Sequence, residues 1–257
     1  MNEAADECLL FCLHFLGGSS RTWHWLHERI PTSLKLIAFD LPGFGRANDQ
    51  DGSSVEQMAN GIAEQIRLHQ PRRWILVGHS MGAKITAVIA RWAEDGERGL
   101  SGLVGVVQVA GSPPSPEPMK DAKRQTMLDW FQSSLGASRQ QAETYIDENS
   151  GEPLPRHLKQ QAVDDVLRAN KEAWRLWLRL GSREDWSARV GQIAVPTLIL
   201  AGGQDEGLGA DAQSKWMAPH FRDHRLQVFS GAGHLLPLER PTELARSIEE
   251  FALARRG

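Results

Sequence analysis

Apolar residues in the first 110 positions gather into short, almost unbroken runs, separated by stretches with helical spacing. The runs cover residues 9–15, 34–39, 74–77 and 103–110. A continuous rather than alternating apolar run suits a strand covered on both faces, as in a parallel sheet. Between the runs, residues 23–30 predict a short helix stopped by Pro31. Ser53 or Ser54 caps a longer helix reaching about His69, with Val55, Met58, Ala59, Ile62, Ala63 and Ile66 along one face. Residues 83–90 read as the start of another helix. This alternation predicts an α/β fold with a parallel sheet and right-handed crossovers.

The pattern breaks after Gly111. Residues 112–190 contain no convincing strand: Pro113, Pro114, Pro116 and Pro118 open the stretch, and helical spacing follows over 119–135, 139–148 and, with an interruption, 154–180. Trp130, Trp174, Trp177 and Trp186 all lie in it. It predicts a helical cap over the strand ends, dividing the chain into a core of residues 1–111 and 191–257 and a cap of residues 112–190. Strand character returns at 196–201 and 226–229, and a closing helix runs from Pro241, favourable at a first helical position, to about Arg255.

Composition adds exclusions. The chain has 257 residues, 41% hydrophobic and 24% charged, with a net charge of −3; these values fit an ordinary globular protein and point to neither a nucleic-acid nor an anionic-membrane partner. No apolar stretch approaches the ~20 residues that cross a bilayer. The first residues are acidic where a signal peptide is basic, so the expected location is cytoplasmic. Cys8 and Cys12, if both sit on the first strand, have Cα atoms roughly 13 Å apart, beyond the ~7 Å that a disulfide tolerates. They are expected to be core thiols. His24 with His27 and His220 with His224 have helical spacing, but they read as exposed helix faces, and no metal is expected.

Gly78-His79-Ser80-Met81-Gly82 follows the third apolar run and precedes the helix at residue 83. A strand turning sharply into a helix needs small residues on either side of the turn, where Cβ atoms would collide. The turn projects the serine hydroxyl at the strand's C-terminal end, near the positive end of the helix. Ser80 is therefore the candidate nucleophile. A serine hydroxyl needs a base, and the base needs an orienting group. His234, in a glycine-bearing loop after the last strand, supplies the base. Asp205, after the preceding strand, supplies the acid, with Glu206 and Asp211 as its neighbours. The order Ser80, Asp205, His234 is the one that accompanies this kind of elbow. A tetrahedral intermediate needs preorganised donors. One is the N–H of Met81; the other comes from the loop after the first strand, with Leu16 the first choice and Phe15 the second. Phe15, His79, Trp130, Trp174 and Trp177 are the candidate pocket residues.

These residues, with the loop from His14 to Trp23, the Asp40-Leu41-Pro42-Gly43-Phe44-Gly45 turn and Glu239-Arg240-Pro241, resemble the α/β-hydrolase superfamily over nearly the whole chain. The resemblance implies a mainly parallel sheet of about six strands flanked by helices, an inserted helical cap, and two-step acyl-enzyme chemistry without a metal or organic cofactor. Two departures stand out. His14-Phe15 replaces the usual His-Gly of the oxyanion loop, and the chain starts almost at the first central strand, leaving little room for the family's N-terminal hairpin.

Serine at position 80 disfavours the dehalogenase and epoxide hydrolase branches, which carry aspartate there. It favours attack on a carbonyl, and the leading expectation is hydrolysis of a small-molecule carboxylic ester or thioester; separately, the chain is expected to be a monomer or homodimer. Two other readings stay open: carbon–carbon bond hydrolysis or SHCHC-synthase-like elimination on the same triad, where Arg124, Arg168, Arg175 or Arg179 would hold a substrate carboxylate, and a non-catalytic ligand receptor that keeps the fold.

Overall fold

The computed structural model describes residues 8–50, 52, 54–130 and 137–255. The acidic N-terminal residues, Ser53 and the far end of the helix predicted over 119–135 lie outside them. Six strands form one parallel sheet: β1 (Cys8–Leu13), β2 (Leu34–Phe39), β3 (Trp74–His79), β4 (Leu103–Val109), β5 (Thr197–Gly202) and β6 (His224–Phe229), in the order β2-β1-β3-β4-β5-β6. Alternate residues of a strand enter two different cores. Phe11 and Leu13 pack on one face, whereas Leu10, Cys12 and Cys8 pack on the other. Burial on both faces is why the runs are continuously apolar. Cys8 and Cys12 lie four residues apart on one strand, both buried.

Helices α1 (His24–His27), α2 (Val55–His69) and α3 (Met81–Glu94) follow β1, β2 and β3. Ser54 caps α2 by accepting a hydrogen bond from the Gln57 N–H at 3.2 Å. The helix predicted over 23–30 begins earlier and ends sooner. Ser19 accepts the Arg21 N–H, starting a 3-10 turn at Ser20 that leads into α1. Strand β1 likewise stops at Leu13, because the carbonyl of His14 turns to accept the N–H of Gly82 at 3.2 Å.

Between β4 and β5 the chain forms α4 (Asp121–Asp129), α5 (Arg139–Glu148), α6 (Arg156–Arg168), α7 (Lys171–Arg179) and the short α8 (Ser187–Val190). No strand occurs in this insertion among its described residues. Ser138 and Gln141 form a reciprocal capping box that starts α5. The interruption between α6 and α7 is the cap of the second helix, with Asn170 accepting the N–H groups of Glu172 and Ala173. Helix α4 begins two residues later than expected, because Lys120 is still extended after the proline-rich segment. The short α9 (Ala210–Ala212) and α10 (Leu236–Glu239) and the long α11 (Pro241–Leu253) complete the fold. Among the described residues no helix is long and apolar enough to cross a membrane.

Candidate active site

The strand order reverses between β1 and β3, and in open parallel sheets ligands bind at the carboxyl ends of the strands beside such a switch. Ser80 stands there, immediately after β3. Its backbone is at φ 51°, ψ −114°, a region a non-glycine residue occupies at a cost of about 1–3 kcal/mol. The surroundings hold it. The Ser80 N–H donates to Val109 at 3.0 Å, and the Ser80 carbonyl accepts from Ala83 at 2.9 Å and Ser112 at 3.0 Å. A Cβ at Gly78 would lie 2.6 Å from the Ala83 Cα, and one at Gly82 would lie 2.6 Å from the Leu13 carbonyl oxygen. Both glycines are thus required by close approach of backbone.

His234 and Asp205 meet as the chain order suggested. The His234 Nδ1 donates to Asp205 Oδ2 at 2.7 Å, while Asp205 Oδ1 accepts from the N–H groups of Gly207 and Leu208 at 3.0 and 2.9 Å. Glu206 and Asp211 are exposed instead. Burial alone would raise the Asp205 carboxyl, but the His234 charge and these hydrogen bonds outweigh it and hold the pKa down at about 2. Burial pushes the His234 imidazole the other way, and the Asp205 charge and hydrogen bond reverse this, leaving it above its ordinary value. An imidazole fixed through Nδ1 presents Nε2 as the group that can take a proton.

Ser80 and His234 line one cavity of about 180 Å³, together with Asp205, Leu16, Met127, Tyr145, Trp177 and Leu208. Glu117 and the exposed Lys120, Lys123 and Glu206 add charge to its wall. Met81 is the first residue of α3, so its N–H has no acceptor within the helix and sits at the positive end of the helix dipole. Leu16 is on the cavity wall; Phe15 is buried behind it against the His79 ring, 5.1 Å between centroids.

The pocket assignments need correction. Of the five candidates only Trp177 lines the cavity. His79 is fully buried, and its Nε2 donates to the His234 carbonyl at 2.8 Å, so it supports the histidine loop from behind. Trp130 and Trp174 lie with ring centroids 6.1 Å apart and planes tilted by 33° in the core of the insertion, and the Trp174 Nε1 donates to the Met127 carbonyl. Helical spacing marks both as inward-facing, but the cavity lies beyond the layer they fill. The four arginines do not line the cavity either. Arg124 donates to the Leu178 carbonyl and Ser182 hydroxyl, Arg168 pairs with Asp165 and Arg175 with Glu172, while Arg179 borders a separate hollow with Asp121 and Arg183.

Glu239 was missed as a site residue. Its carboxylate accepts the N–H groups of Gly233 and Gly151 through Oε2 and of Leu235 through Oε1, bracketing His234. His14 was also missed: Leu41 donates to its Nε2 at 3.0 Å and its Nδ1 faces the Phe15 carbonyl at 2.7 Å, tying the first loop to the turn after β2. Burial lowers its pKa and keeps it neutral. Among the described residues no three His, Cys, Asp or Glu side chains gather as a metal site would.

A parallel sheet wrapped by helices, with a strained serine at the switch point and an Asp–His pair beside it, defines the α/β-hydrolase class. The Alpha/beta hydrolase family pattern matches residues 10–247, and the chain belongs to that family. It is similar to a 2-succinyl-6-hydroxy-2,4-cyclohexadiene-1-carboxylate synthase of Serratia proteamaculans, at 25% identity over 96% of this chain and 94% of the relative. It is also similar to a pimeloyl-[acyl-carrier protein] methyl ester esterase of Photobacterium profundum, at 27% identity over 94% and 93%. The fold matches that of an esterase from Exiguobacterium antarcticum with a TM-score of 0.82, at 18% identity over 96% of this chain and 92% of that one.

Proposed function

We propose that this protein is a serine hydrolase that cleaves a small-molecule carboxylic ester or thioester through an acyl-enzyme. Ser80 attacks the carbonyl, His234 takes its proton and returns it to the leaving group, and Asp205 holds the imidazole in the required tautomer. The N–H groups of Met81 and Leu16 receive the oxyanion, and water then releases the acid. The observation that carries this reading is the 2.7 Å His234–Asp205 bond beside a strained Ser80 in one cavity. The esterase relative from Photobacterium supports the bond type. Residues 112–190 act as the cap over this site, and the enzyme works in the cytoplasm as a monomer or homodimer.

The similarity to the Serratia synthase gives the second reading, elimination on the same triad. Against it, none of the four arginines that would hold a substrate carboxylate lines the cavity, and Arg124, Arg168 and Arg175 are held by other partners. Turnover of p-nitrophenyl acetate and butyrate, lost in Ser80→Ala, would establish the esterase. Slow ester turnover together with cleavage of a dienone acid or elimination from a succinylated cyclohexene would favour the alternative chemistry, and tight ligand binding without turnover would favour a receptor.

A further inference from the structure

Helix α5 touches both halves of the site within a single turn. At its C-terminal end the carbonyl of Asn149 accepts the N–H of His234 at 2.8 Å and that of Leu235 at 3.2 Å. One turn earlier, about 6 Å along the axis, the Tyr145 hydroxyl donates to the Leu16 carbonyl at 3.0 Å. Tyr145 and Asn149 both border the cavity.

The Leu16 carbonyl is a sensitive place to hold. The Gly18 N–H donates to the Phe15 carbonyl at 3.0 Å and Gly17 has φ +82°, the signature of a type II turn with Leu16 and Gly17 at its centre. The central peptide of such a turn can flip over to the type I arrangement, reversing the carbonyl that Tyr145 grips. The same loop is pinned twice more by the insertion. The Ser19 hydroxyl donates to buried Asp165 at 2.8 Å, and a Cβ on Gly17 would lie 2.7 Å from the Trp174 ring. Tyr145 is itself oriented by edge-on contacts with Trp130 and Trp174, at 5.8 and 5.3 Å between centroids.

We propose that Tyr145 is a positioning residue that locks the oxyanion loop through its hydroxyl bond to Leu16, making α5 a clamp between that loop and the His234 loop. This rests on the serine-hydrolase reading above. The two tryptophans then have a role at one remove from the substrate: they hold the phenol that holds the loop. The clamp also fixes α5 to both loops during turnover, so substrate enters past α4 and the Glu206–Leu208 segment, which form the other side of the cavity.

The test is Tyr145→Phe, assayed with p-nitrophenyl butyrate and with a phenylboronic acid, which forms a tetrahedral anionic adduct on a serine oxygen. Loss of one positioning hydrogen bond should lower kcat roughly fivefold, leave KM within about twofold, and weaken the boronate by the same factor as kcat. Wild-type kcat and boronate affinity would overturn the proposal. So would a lowered Tm with boronate affinity unchanged, since that marks a packing role alone. If Tyr145→Phe does not fold, Ser19→Ala, which cuts the loop's tie to Asp165, should show the same split, and wild-type values there would overturn the proposal equally. Retained hydrolysis in Ser80→Ala would instead defeat the underlying reading, whatever Tyr145→Phe does.

Discussion

Gly82→Ala perturbs the joint on which the site's geometry depends. Gly82 is the second residue of α3; its N–H donates to the His14 carbonyl, and its α-carbon lies against the end of β1. An added Cβ would stand 2.6 Å from the Leu13 carbonyl oxygen, 2.7 Å from the Leu13 Cβ and 2.8 Å from its carbonyl carbon. Two of these three are backbone atoms of a central strand, which cannot swing aside. Ordinary contact begins at 3.4 Å, so helix and strand must part by about 0.8 Å. That shift moves the Met81 amide away from the oxyanion loop. A misplacement of about 1 Å can cost a factor of about 10² in rate, so kcat should fall by roughly 10- to 100-fold. Overpacking should also cost about 1–3 kcal/mol, which lowers Tm by roughly 2–12 °C in a chain of this size. Gly61→Ala is the control. It lies inside α2 with no heavy atom within 4 Å of the new methyl, so it should leave kcat alone and stabilise by about 0.5–1 kcal/mol. Ester hydrolysis and thermal melts on the two variants decide the matter. A Gly82→Ala enzyme with wild-type kcat and Tm would refute the reasoning.

Four further outcomes follow from the same geometry. The kcat/KM profile should fall with acid through a midpoint above the ordinary imidazole value of about 6.5, because His234 must be neutral to act and Asp205 holds its pKa up. Asp205→Asn removes that support, so the midpoint should move to lower pH while kcat drops by on the order of 10⁴; a pH–rate series on both proteins checks the direction. Trp177→Leu should enlarge the cavity beside Ser80 and raise the ratio of kcat/KM for p-nitrophenyl octanoate to that for butyrate by about tenfold; an unchanged ratio would remove Trp177 from the acyl wall. Glu239→Gln replaces a carboxylate that accepts three backbone N–H groups, so it should cost about 1.5–3 kcal/mol in a denaturant titration.

What was legible in the sequence, and what was not, has a physical pattern. Strand β2 and helix α5 have the boundaries the periodicity predicts, because each has a local signal at one end: turn residues after Phe39, and Ser138 before Arg139 with Gln141 in the first turn of the helix. The serine elbow and the Asp205–His234 meeting were readable because glycine spacing and strand-end position are properties of short segments in a known order. The pocket was not. Trp174 and Trp177 are three residues apart on α7 and both buried, yet only Trp177 reaches the cavity. Helical spacing gives the inward face of a helix but not how many layers of side chain lie between it and the reacting serine. The supporting bonds of Tyr145, Asn149 and Glu239 join segments separated by up to 129 residues, and no local pattern announces them.

Covalent trapping tests the central claim most directly. After incubation with a fluorophosphonate, the structure of the adduct should have phosphorus bonded to the Ser80 Oγ and its anionic oxygen within hydrogen-bonding distance of the Met81 and Leu16 N–H groups. Phosphorus on any other residue, or an oxygen turned away from both amides, would contradict the account.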